Sequence, residues 1–183
     1  MNRYVVLSGL PASGKSTLAR ALSQELSLPL LDKDQFLEVL FDSKGIGDTR
    51  WRRHLSLEAD ASIRQHAEQS MGAVLTSWWK HPQSTLDSGT PTDWLDLLPG
   101  FKVEVHCRCS SQAAAERFLA RKRHPGHLDD RWSSAELAAS FDLQASLGPL
   151  GLGSLVEVST EGQPDIPDLI RRVADVFAGA CLG

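Results

Sequence analysis

Long apolar runs are missing from this chain of 183 residues. The first, Tyr4–Leu7, gives way at once to Ser8 and Gly9, whereas a membrane helix needs about twenty apolar residues and a secretory h-region at least seven. No membrane span is expected, and a cytoplasmic location follows. Cysteine is scarce and odd in number: Cys107, Cys109 and Cys181 offer no disulfide framework and read as reduced thiols. An excess of positive charge is also lacking. With 19 Lys and Arg against 23 Asp and Glu, the net charge is −4, which argues against coating nucleic acid through overall charge. Internal repeats, low-complexity tracts and long linkers are absent, leaving one domain over residues 1–183 with ordinary apolar (42%) and charged (23%) content.

Within that frame, short apolar runs alternate with helical patterns. Strands are expected at Tyr4–Leu7, Leu28–Leu31, Ala73–Ser77, Phe101–Cys107 and Ser154–Ser159. Between them lie helical patterns: Lys15–Ser27, with Leu18, Ala19, Leu22 and Leu26 on one face; Phe36–Phe41; Trp51–Gln69; and a short helix at Thr92–Leu98. Ser110 is placed to cap a helix over Gln112–Arg123, broken by His124-Pro125-Gly126-His127. Ser133 and Glu136 have capping-box spacing for a helix through Leu143, and Pro164–Phe177 forms the last. Five β–α pairs in series predict an α/β fold, a three-layer α/β/α sandwich around a five-stranded parallel sheet.

Between the first strand and first helix, Gly9-Leu10-Pro11-Ala12-Ser13-Gly14-Lys15-Ser16 fits G-x-x-x-x-G-K-[ST] at every fixed position. Glycines let the backbone curl its N–H groups around a polyphosphate, and the following helix presents its positive end. Gly9, Pro11, Ala12, Ser13, Gly14, Lys15, Ser16 and Thr17 are therefore the candidate ATP-binding loop. Lys15 is expected to face solvent in the empty protein and to reach the β- and γ-phosphates, with the Ser16 hydroxyl on Mg²⁺.

In order and length nearly the whole chain resembles the small P-loop kinases, a group that includes shikimate and gluconate kinases, chloramphenicol phosphotransferase and the kinase domain of polynucleotide kinases. The resemblance implies that Asp32-Lys33-Asp34 matches an acidic element beside the acceptor hydroxyl, with Asp34 as general base and Asp32 orienting Mg²⁺. Helix capping is the simpler reading of both acids. It also implies that Glu116–His127 leads into a mobile lid, about residues 121–132. Arg117 would lie near adenine and the α/β-phosphates; Arg121, four residues on and sharing a helix face, would meet the transferring phosphoryl group. Arg123 and Arg131 are further candidates. His124 and His127 are read as part of a Pro-Gly lid turn, because one H-x-x-H pair lacks the second ligand pair of a zinc site.

Where relatives end strand three with an acid, this chain has Thr76-Ser77-Trp78-Trp79. The next acid, Asp87, either completes the metal shell or touches substrate. The acceptor wall is expected from Phe36, Trp51, Trp78, Trp79 and Trp94, with Arg50, Arg52, Arg53 and His54 nearby; Trp78-Trp79 at a strand end and Arg53 are the candidate acceptor contacts. Core packing is the alternative for each tryptophan. The glycine-rich substrate loop of shikimate kinases is absent, and Leu37 stands where polynucleotide kinases carry an arginine, so neither shikimate nor nucleic acid is the expected acceptor. The expectation is an ATP- and Mg²⁺-dependent kinase, monomeric or homodimeric, acting on a hydroxyl of a small metabolite or antibiotic. A polynucleotide-kinase-like or zeta-toxin-like enzyme and an ATP-binding regulatory module are the alternatives.

Overall fold

The computed structural model describes residues 2–129 and 132–180, so Arg131 and Cys181 lie outside the described residues. The chain runs β1 (Arg3–Gly9), α1 (Lys15–Leu26), β2 (Leu30–Asp32), α2 (Lys33–Lys44), α3 (Thr49–Gln69), β3 (Gly72–Thr76), β4 (Phe101–Arg108), α4 (Ser111–Ala120), α5 (Ser134–Ala145), β5 (Ser154–Ser159) and α6 (Ile166–Ala180). All neighbouring strands pair in parallel, in the order β2-β3-β1-β4-β5. This is the expected five-stranded α/β fold.

Strand β1 is central, and its unbroken Tyr4-Val5-Val6-Leu7 run is buried on both sides. Val5 and Leu7 face Leu18 and Leu22 of α1 and Leu169, Val173 and Phe177 of α6. Tyr4 and Val6 face Ile63 and Ala67 of α3, with Trp79, Trp94 and Leu95. The chain leaves β1 between β3 and β4, the point where strand order reverses, so its carboxyl end opens into the crevice typical of such sheets.

Three boundaries differ from the sequence reading. Helix α2 begins at Lys33, ahead of the expected Phe36, because Asp32 caps it, its carboxylate accepting the Asp34 N–H at 3.1 Å. Helix α4 ends at Ala120, not Arg123, and Arg121 is extended (φ −75°, ψ 144°). Here the helical preference yields to ion pairs that Arg121 and Arg123 make beyond the helix. The expected helix at Thr92–Leu98 is a succession of turns, Leu95 N–H to Thr92 C=O, Leu97 to Trp94 and Leu98 to Leu95. Squeezed between Pro91 and Pro99-Gly100, that segment is too short to propagate an α-helix.

One buried charge organises the far side of β1. Glu104 on β4 is 1% exposed and accepts the backbone N–H groups of Leu150, Gly151 and Leu152 at 2.7–3.1 Å. The Ser8 hydroxyl donates to it at 2.5 Å and lies 2.8 Å from His106 Nδ1. A carboxylate is the only common side chain that accepts from four donors at once. Glu104→Gln turns an acceptor into an N–H₂ donor facing amides, and should lower stability by about 1–3 kcal/mol in urea denaturation. An unchanged midpoint would mean the loop amides find other partners.

Candidate functional site

The phosphate loop forms because the backbone at its glycines is one that other residues resist. Gly9 has φ 119°, and a Cβ there would lie 2.4 Å from the Cys107 carbonyl oxygen of the neighbouring strand. Gly14, at φ 91°, is the N-cap of α1. Lys15 corrects the sequence reading: rather than facing solvent it is 7% exposed, folded back so that Nζ donates to the Gly9 and Leu10 carbonyls at 2.9 and 2.5 Å. Burial lowers its pKa from 10.5 to about 8, against the opposing pull of Cys107 and Asp34.

A cavity of about 1020 Å³ opens over this loop. Pro11, Ala12, Gly14, Lys15, Ser16 and Thr17 line its floor, with Asp32 and Asp34 from the β2–α2 junction, Arg53 from α3, Trp78 after β3, and Arg117, Arg121 and Arg123 from α4 and the segment beyond. Gly9 and Ser13 are not among the lining residues and serve the loop's shape. Asp32 is 4% exposed; burial raises its pKa, the charge of Asp34 adds to this, and a hydrogen bond from Ser16 opposes both. The Ser16 hydroxyl and Asp32 carboxylate are adjacent hard oxygens at the helix start, a donor pair that suits Mg²⁺ completed by water and phosphate oxygens. Thr76 and Ser77 are buried, and Ser77 Oγ is committed to Thr90 Oγ1 at 2.6 Å. Asp87 stands on the rim, exposed, 2.6 Å from Arg53 and 3.9 Å from Lys80, with hydrogen bonding to Arg53 lowering its pKa.

The tryptophans divide. Trp78 borders the cavity, its indole N–H donating to Gln144 Oε1 at 2.8 Å. Trp79 does not line it; it is 7% exposed, donates to the Leu7 carbonyl and packs edge-on against Trp94, which is core too. Consecutive residues in extended backbone point to opposite sides, so only one of the two reaches the cleft. Trp51 stacks on His54 away from the cavity, and Phe36 packs against His66. Trp132, which carried no sequence signal beyond its place in the lid, lines the cavity instead.

Arg117 and Arg121 do not share a helix face, since α4 ends between them. Arg117 holds the loop after β5 through the Thr160 and Glu161 carbonyls, at 2.8 and 2.7 Å. Arg121 lies over the Phe118 ring, 4.0 Å from its centroid, and 3.3 Å from Asp129. Arg123 reaches Asp34 Oδ2 at 2.5 Å and Asp129 at 3.0 Å. The lid segment is docked on α2 through ion pairs and through the ring of Phe41: His124 stacks on it (centroids 5.2 Å, 15°), His127 meets it edge-on (5.4 Å), and Gly126 leaves no space for a Cβ, which would lie 2.5 Å from the ring. His127 Nε2 pairs with Glu38 at 3.0 Å, and its carbonyl accepts from Arg52 Nε. Among the described residues no three His, Cys, Asp or Glu side chains form a metal cluster.

Comparison with known proteins bears on the family and the fold. A family described as AAA domain matches residues 5–146. The chain belongs to this family, among the small P-loop kinases. A provisionally assigned kinase from Chloroflexus aurantiacus j-10-fl superposes with a TM-score of 0.76 at 26% identity, covering 97% of each chain. A gluconokinase from Sinorhizobium meliloti 1021 (TM-score 0.56, 21% identity, 97% and 92% covered) and a shikimate kinase from Bacteroides thetaiotaomicron (0.58, 17%, 96% and 98%) share the fold. No curated protein matches the chain.

For a P-loop kinase fold with this lysine, nucleotide binding must replace two carbonyls by phosphate oxygens. That restores Lys15 to full protonation from a folded-state value near 8. Calorimetry at pH 8 in buffers of differing ionisation heat should therefore show uptake of about half a proton per nucleotide, lost in Lys15→Ala together with tight binding. Wild-type affinity in a folded Lys15→Ala protein would refute the assignment of this loop.

Proposed function

We propose that this protein is an ATP- and Mg²⁺-dependent kinase that transfers the γ-phosphoryl group to a hydroxyl of a small-molecule acceptor. One observation carries the reading: the phosphate loop, Asp34 and the lid arginines line one cavity of about 1020 Å³. That volume lies at the upper end of small-molecule sites, which span about 300–1000 Å³. Ser16 and Asp32 would hold the metal, which when bound would neutralise charge on the phosphate oxygens.

The remaining work falls to the chain's own side chains. The loop amides and Lys15 fix the triphosphate, and Arg121 faces charge redistributed onto the transferring group. The acceptor hydroxyl attacks the γ-phosphorus, the bond to the β–γ bridging oxygen breaks, and Asp34 orients the hydroxyl and takes its proton. Asp34 is suited to remain ionised: its partly buried setting pushes the carboxyl up, but Arg123, then His127, Arg121 and Lys33, outweigh this and hold it below the ordinary carboxylate range. Trp78 and Arg53 border the acceptor side. The polar face of α3, with Thr49, Arg53, Ser56 and Asp60 toward the cavity, favours a hydroxylated acceptor over an apolar one.

A panel of hydroxylated metabolites, antibiotics and oligonucleotides, scored by ADP release, tests the reading directly. With the acceptor so found, Asp34→Asn should lower kcat by about two to four powers of ten with nucleotide binding nearly unchanged, the usual scale for general-base catalysis. Near wild-type turnover would reduce Asp34 to a helix-start residue, which Asn replaces well. Arg121→Ala should cost about two to three powers of ten in kcat and less in nucleotide affinity. A closed complex with Arg121 turned away from the triphosphate would contradict its role.

A further inference from the structure

The lid brings two arginines to the cavity, and they are held very differently. Arg121 makes a single long contact with Asp129, at 3.3 Å, and its Nε is buried without a hydrogen-bond partner among the described residues. Its guanidinium is kept in place by the face of Phe118, which constrains position but does not use up N–H donors. Arg123 is committed on both sides. It is 15% exposed, with Nη2 on Asp34 Oδ2 at 2.5 Å and Nη1 on Asp129 Oδ2 at 3.0 Å and Oδ1 at 3.3 Å. To grip a phosphate, Arg123 would have to abandon two carboxylates, whereas Arg121 has only to leave one. Asp129 sits between the two guanidiniums and offsets their mutual repulsion.

We infer that Arg123 is a positioning residue: it clamps one carboxylate oxygen of Asp34 so that the other is presented to the acceptor hydroxyl, leaving Arg121 free for the phosphoryl group. The inference rests on the kinase reading above and divides labour within the lid. A carboxylate on a short side chain at the first turn of α2 can rotate about its two side-chain torsions. Pinning Oδ2 removes that freedom, and such pre-orientation is worth far more to a reaction than the contact is worth to stability. Because the clamp is delivered by the lid, Asp34 is oriented only while the segment from Arg121 to Asp129 is docked on α2.

Arg123 is one of several charges around Asp34. Asp32, the last residue of β2, and Lys33 precede it in the chain, Lys15 faces it from α1, and Arg121 and His127 face it from the lid. Arg123 alone of these forms an ion pair with its carboxylate at 2.5 Å. The test compares Arg123→Gln, Arg123→Lys and Arg121→Gln by the crystallographic conformation of the Asp34 side chain in the nucleotide-free protein, and by kcat and KM.

Arg123→Gln should leave the Asp34 side chain in more than one rotamer. It should also lower kcat by about ten- to a hundredfold while leaving the KM for ATP within about threefold. Arg123→Lys, which keeps the charge without the planar fork, should not restore kcat. Arg121→Gln should lower kcat and leave the Asp34 side chain in its wild-type conformation. A large rise in the KM for ATP in Arg123→Gln with the Asp34 side chain unmoved would overturn the proposal and make Arg123 a phosphate ligand. Should Arg123→Gln fail to fold, Arg123→Lys decides alone: wild-type kcat refutes the clamp. Absence of phosphoryl transfer to any acceptor in the unsubstituted protein would sink the kinase reading instead, and leaves the conformation of Asp34 to be judged separately.

Discussion

The site depends on a backbone contact that no side chain could share. At Gly9 the chain leaves β1 so close to the Cys107 carbonyl of β4 that a Cβ would lie 2.4 Å from that oxygen. Because β1 is central and buried on both sides, it is fixed by packing against three helices and two strands. The loop that follows therefore curls at a defined place in the crevice, with α1 starting directly behind it. Every other group of the site is placed relative to that loop: Asp32 through Ser16, Asp34 by the helix that Asp32 caps, and the lid through Asp34.

Charge in the cavity is cross-paired. Lys15 is spent on carbonyls of its own loop, Lys33 on Asp60, and Arg121 and Arg123 on Asp129 and Asp34, with the exposed pair Arg53–Asp87 at the rim. All but the rim pair satisfy buried or half-buried cations that would otherwise carry a desolvation cost. They also set the electrostatic problem for a ligand, which must offer each released cation something better than the contact it gives up. A polyanion does so for Lys15 and Arg121 at once. An uncharged acceptor need displace none of them.

Much of this was legible in the residues. The alternation of buried runs and helical patterns gave the sheet and its helices, and Gly9, Gly14 and Lys15 marked the loop, since the glycine positions are set by backbone conformation that only the sequence of the loop itself determines. Asp32 and Asp34 were both singled out: Asp32 alone caps α2, and both line the cavity. What local pattern could not reveal was tertiary. Glu104 reads as a polar residue in a strand, and its burial follows from loop amides some 46–48 residues away. Lys15 turns inward because carbonyls of the strained loop are within its reach. Trp78 and Trp79 differ in the side of the chain to which each points, and the place of Arg123 beside Asp34 rests on a partner far away in sequence.

The ring of Phe41 has a consequence for how the molecule comes together. The lid residues that dock on it are some 82 positions along the chain from α2, as the His124 to Asp42 pair shows. The contact can form only after β3, β4 and α4 have brought the two segments near each other, because closing so long a loop of unfolded chain for a few ring contacts is entropically unfavourable. The docked lid is thus a late-folding unit on an already folded sheet. It is also the part whose backbone amides are expected to open without global unfolding. Opening there would remove Arg121 and Arg123 from the cavity while Gly9, Lys15 and the sheet beneath them stay as they were.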